Sequence, residues 1–212
     1  MKIFKSKISL IAIALLVTSC VTNPYKSVTI VKQPIEGVIV LTPAFKDLLK
    51  GKLYKAKIEV LKNYLSGLLI IKEIKGSNRV IFTSETGLKF FDFEFAADTF
   101  IVHHVMEQFD NKYVLNTLRE DLGTVLFDKV GVDGIQKITI DKIDGKIYRR
   151  QEGEDWLYYF YQKDILNKIE RASDKKKKVI ITFENYEDDI PQLINIAHKD
   201  FKMNIELNYI KR

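Results

Sequence analysis

The chain has 212 residues, 46% apolar, 11% aromatic and 29% charged, enough to bury one domain's core and too hydrophobic for a disordered chain. One cysteine excludes an intrachain disulfide framework. The formal charge of +6 loses Lys2, Lys5 and Lys7, and no acid, if residues 1–19 are removed; the remaining +3 lends nucleic-acid binding little support.

Residues 1–19 read as a signal peptide. The three lysines precede an apolar run, 8–17, which is too short to span a bilayer. The run ends in Val17-Thr18-Ser19-Cys20, which resembles the bacterial lipobox. The resemblance implies that Cys20 becomes the first mature residue, with diacylglycerol on its sulfur and a third acyl chain, such as palmitate, on its amine. An ordinary secretory signal followed by a free cysteine is the alternative. Two or more acyl chains anchor a protein stably, at about 0.8 kcal/mol per buried methylene. The mature protein is therefore expected to be exported and membrane-tethered.

Residues 20–40 suit a lipidated amino end and an extended tether, and 41–212 a single domain. Thr42-Pro43 predicts a helix start, with Phe45, Leu48 and Leu49 as its apolar stripe and Gly51 as its stop. Residues 53–61 either prolong that helix or, from Ala56, form a strand. A meander of four strands follows at 64–74, 78–84, 88–95 and 99–106, punctuated by Gly, Ser, Asn and Asp. In its third strand Phe91, Phe93 and Phe95 point to one face, Asp92 and Glu94 to the other. The clearest helix spans 111–127, with Val114, Leu115, Leu118, Leu122, Val125 and Leu126 at helical spacing and Arg119, Glu120 and Asp121 on the far side. Strands are predicted again at 135–141, 146–150, 155–162, 165–172, 177–186 and 201–210. The lysine run 175–178 reads as a solvated hairpin tip.

Several strands are apolar on both faces. Trp156, Tyr158 and Phe160 alternate with Leu157, Tyr159 and Tyr161, which a sheet with one wet face would not need. The expected fold class is mainly β (α+β): an unclosed antiparallel half-barrel curled around its aromatic face, with helices on the concave side. A ligand cavity and a solid core are both compatible with that pattern. Catalysis has no motif to carry it. His103 and His104 are adjacent on a strand and point apart, so they make a poor metal pair. Glu152, Glu154 and Asp155, like Glu187, Asp188 and Asp189, read as solvated turns. No metal site, cofactor or enzyme activity is expected.

The stretch 64–95 with its following helix, then 166–186, Ile190-Pro191 and 194–210, resembles the Lol lipoprotein carriers in pattern and order. The nearer type is the LolB-like outer-membrane receptor, itself a lipoprotein; the soluble LolA-like periplasmic carrier shares the fold. The resemblance implies an apolar cavity that takes acyl chains of a lipid or lipoprotein, a periplasmic carrier protein as a partner, and a site at the outer membrane facing the periplasm. On that reading Phe91, Phe93, Phe95, Phe100, Val102, Ile181, Phe183, Ile205 and Leu207 line the cavity, and Leu115, Leu118 and Leu122 form its helical lid. The receptor's protruding apolar loop corresponds here to Ser84-Glu85-Thr86-Gly87, which is polar, with Leu88 the nearest apolar residue. The alternative is an interaction lipoprotein with the same fold and a filled core.

Overall fold

The structure, a computed structural model, describes residues 25, 28–31, 51–96, 99–107, 109–126 and 134–211. The signal peptide, Cys20 and the helix expected after Thr42 lie outside them. Thirteen strands form one sheet: β1 (Val28–Ile30), β2 (Lys52–Val60), β3 (Asn63–Ile74), β4 (Ser77–Thr83), β5 (Lys89–Ala96), β6 (Thr99–Val105), β7 (Gln136–Ile140), β8 (Ile143–Glu152), β9 (Asp155–Gln162), β10 (Ile165–Ala172), β11 (Lys177–Glu187), β12 (Ile190–His198) and β13 (Met203–Tyr209). Their order is β1-β7-β8-β9-β10-β11-β12-β13-β2-β3-β4-β5-β6. β1 and β6 are therefore its two edges, and the sheet is unclosed. All pairs are antiparallel, as short turns between successive strands require. At Lys75-Gly76 both turn residues have positive φ, 51° and 84°, the twist that suits a two-residue hairpin.

The predicted meander is present within a residue or so at each end. β2 resolves the ambiguity at 53–61 in favour of a strand throughout. β12 was not among the predicted strands. Pro191 at its start, and polar Gln192 and Asn195 within it, hide a strand that pairs with both β11 and β13. One helix, α1 (Lys112–Leu126), occurs among the described residues. Asn111 caps it, its Oδ1 accepting the Tyr113 amide at 2.9 Å.

Two apolar clusters flank the sheet. The larger joins β2–β5, β9–β13 and α1, and includes Tyr54, Ile58, Leu69, Phe82, Phe91, Phe93, Val114, Leu118 and Leu122. The smaller gathers Tyr25, Ile138, Ile140, Ile147, Tyr158, Phe160 and Ala172. This explains the two-faced aromatic strand: Leu157, Tyr159 and Tyr161 of β9 face the larger cluster, Tyr158 and Phe160 the smaller. Part of what covers the second face comes from the segment read as a tether. Tyr25 is buried there, and Val28–Ile30 pairs with β7.

Candidate functional site

The candidate site is the face of the sheet against which α1 packs. Register places Phe82 opposite Phe91 and Val80 opposite Phe93, so β4 and β5 present one aromatic surface. Phe91 and Phe93 stack with ring centres 4.3 Å apart, and Phe109, just before the helix, meets Phe91 edge-on at 5.5 Å. Phe93 and Phe95 each pack against Phe100 at 5.1 Å.

Eight of the twelve predicted lining residues, namely Phe91, Phe93, Leu118, Leu122, Ile181, Phe183, Ile205 and Leu207, are no more than 3% exposed and share the larger cluster. Phe95, Phe100 and Leu115 are partly buried against it. Val102 lies opposite Phe93 on edge strand β6, yet it is 38% exposed and outside the cluster. The chosen residues thus converge on one surface, closed at its centre and looser towards β6.

Polar contacts hold the helix there. Asp121, placed on the far side by spacing alone, is instead 2% exposed and lies 2.8 Å from Nε2 of His198 on β12. Burial pushes the Asp121 carboxyl up, and His198 and Arg171 pull it back. Arg171 of β10 donates to Glu120 of the helix and, at 3.2 Å, to Glu152. Tyr113 meets Phe201 edge-on at 4.8 Å. These partners lie 51 and 77 residues apart in the chain, so no local pattern could have paired them.

At one end of the sheet a cavity of 510 Å³ is lined by Asp144, Gln162, Lys163, Asn167, Phe183 and Tyr186, among others. Phe183 is its one predicted lining residue. Tyr186 Oη donates to the Leu166 carbonyl at 2.5 Å, and burial raises the hydroxyl's pKa. A second cavity, 340 Å³, includes Lys57, Glu59, Tyr64, Asn204 and Glu206, where Lys57 and Glu206 pair at 2.7 Å.

Elsewhere the polar groups find separate partners. His103 contacts Glu94 at 2.6 Å and His104 the Lys89 carbonyl at 3.0 Å. Among the described residues no three His, Cys, Asp or Glu side chains gather as metal ligands. The lysine run is only partly a solvated tip: Lys176, Lys177 and Lys178 pair with Asp200, Glu170 and Asp155. The turn before β5 is tightly closed. The Ser84 amide donates to the Leu88 carbonyl at 2.8 Å, the Leu88 amide to Ser84 Oγ at 2.9 Å, and the Leu88 side chain is 57% exposed.

No family model matches the chain, and no curated protein does. Among solved structures it is similar to an outer membrane lipoprotein-sorting protein domain from Vibrio parahaemolyticus, at 8% identity and a TM-score of 0.43, over 81% of this chain and 87% of that one. It is also similar to a DUF1329 family protein from Desulfovibrio piger, at 11% identity and a TM-score of 0.43, over 78% of this chain and 85% of that one.

Proposed function

We propose that this chain is a non-catalytic, exported lipoprotein, anchored through Cys20, that takes acyl chains of a lipid or lipoprotein onto its aromatic sheet face. Its place is the outer membrane facing the periplasm, in lipoprotein or lipid transport, where a periplasmic carrier can hand cargo over. The observation that supports this reading is that Leu118 and Leu122 of α1 lie in the same apolar cluster as Phe91 and Phe93. Displacing α1 would open a concave apolar surface between helix and sheet. A sixteen-carbon chain, at about 0.8 kcal/mol per buried methylene, would gain on the order of 10 kcal/mol there. That is enough to compete with helix packing.

Native mass spectrometry of protein purified from envelopes without detergent should show bound lipid, and a fluorescent fatty-acyl probe should brighten on the delipidated protein. A clean protein mass together with a silent probe would refute acyl binding. One observation favours a second reading: Phe82, Phe91, Phe93 and Phe109 are each 0% exposed, as in a core filled for good. An interaction lipoprotein of that kind would give both negative results and retain one specific protein partner after cross-linking in envelopes.

A further inference from the structure

The 510 Å³ cavity lies at the end of the sheet away from the contacts that hold α1. Tyr186, on its wall, is opposite Pro191 at the start of β12, whereas His198, which holds Asp121 of the helix, ends that strand. Two departures from regular strand geometry aim side chains into it. Asn167 is the extra residue of a bulge, since Leu166 pairs with Tyr161 and Lys168 with Phe160. Asn185 stands at φ 56° inside β11. Around it Phe183 and Tyr186, three positions apart, line the same space, where strict alternation would set them on opposite faces. The lining is also graded. Phe183 belongs to the larger apolar cluster and Tyr186 packs against it, so a chain seated there continues onto the aromatic face. Asn167 is half-buried, and its Oδ1 is shielded from water without a hydrogen-bond partner, a state that a donor in the cavity would relieve. The last torsion of an asparagine is broad, so the amide can turn to meet one. At the exposed margin stand the Asp144 carboxylate and the Lys163 ammonium, neither of them in an ion pair. Their neighbours Lys146 and Asp164 are already paired with each other.

We propose that this cavity seats the head group of a zwitterionic amphiphile of the phosphoethanolamine class. The phosphate lies against Lys163 and the ammonium against Asp144, a head-group hydroxyl or N–H donates to Asn167 Oδ1, and the acyl chain runs past Phe183 onto the aromatic face. One free cation and one free anion select a ligand that carries one of each; a neutral or purely anionic head leaves at least one of them unmatched. The volume suits a head group together with the start of its chain. The inference deepens the acyl-binding reading above and rests on it.

The test is displacement of a fluorescent fatty-acyl probe from the full-length protein, stripped of bound lipid, by three amphiphiles that share one acyl chain. Palmitoyl lysophosphatidylethanolamine should displace the probe at a concentration about tenfold lower than palmitoyl lysophosphatidylglycerol or monopalmitoylglycerol, all below their micellar concentrations. Asp144→Asn and Lys163→Gln change exposed side chains and should leave the thermal melt and displacement by monopalmitoylglycerol as they are. Each should cut the preference for the zwitterion to about threefold or less, and Asn167→Leu should weaken displacement by both lysophospholipids. Equal displacement by all three amphiphiles on the wild type overturns the head-group site while leaving acyl binding in place. A preference that survives in both charge variants overturns its location. If the probe does not bind at all, acyl binding is refuted and the head-group site falls with it.

Discussion

Asp92 shows how a single residue on the outer face is kept charged under cover. Burial opposes its charge, but Arg79 Nε at 2.6 Å and Lys89 Nζ at 2.9 Å hold its carboxyl below the usual carboxylate range. A depressed folded-state pKa means that its stabilisation is present above the unfolded value, near pH 3.9, and is lost as pH falls through the folded one. Asp92→Asn should cost roughly 1–3 kcal/mol at pH 7, and the gap between thermal melts of variant and wild type should narrow as pH falls below about 3.9. A gap that widens on acidification would place the loss elsewhere. Gly67 works by absence. A Cβ built on it would stand 2.0 Å from the Thr83 carbonyl oxygen of the neighbouring strand. Gly67→Ala should therefore lower the urea midpoint by the equivalent of about 1–3 kcal/mol, and an unchanged midpoint would show that β4 yields freely. The sequence displays both residues plainly. It shows neither the guanidinium over the one nor the carbonyl against the other, because those neighbours are set by sheet register.

The same divide runs through the elements. Periodicity alone located α1, since Val114, Leu118 and Leu122 recur every four residues and all reach the core. It misplaced Asp121, because a carboxylate reads as solvent-facing unless its partner is known, and His198 lies far along the chain. Asp121→Asn should loosen the helix rather than unfold the domain. Amide exchange across Lys112–Leu126 is expected to quicken about tenfold, equivalent to some 1.4 kcal/mol, while amides of β2 and β3 keep their rates. Uniform quickening would mean that α1 is part of the global folding unit. The meander was legible because β-branched and aromatic runs alternate with turn residues. β12 was not, because a strand with neighbours on both sides can tolerate polar positions that a solitary pattern cannot.

At the scale of the molecule, a mainly β, unclosed antiparallel sheet could be anticipated from the turn-punctuated strands, and its double burial from β9. The source of the cover over the second face could not, because nothing in the stretch around Tyr25 marks it as more than a leader to the fold. The strand order holds a further surprise. β13, late in the chain, pairs with β2, early in it, through Ile205 opposite Ile58 and Leu207 opposite Ala56, and this seam lies in the middle of the sheet. A chain ending after residue 202 would leave the facing edges of β2 and β12 bare. It should elute as aggregates on size exclusion, whereas a soluble monomer would show that the two halves stand alone. For a chain exported amino end first, as this one is proposed to be, the sheet stays in two open halves until residues 203–209 have crossed, so the seam can close only beyond the membrane.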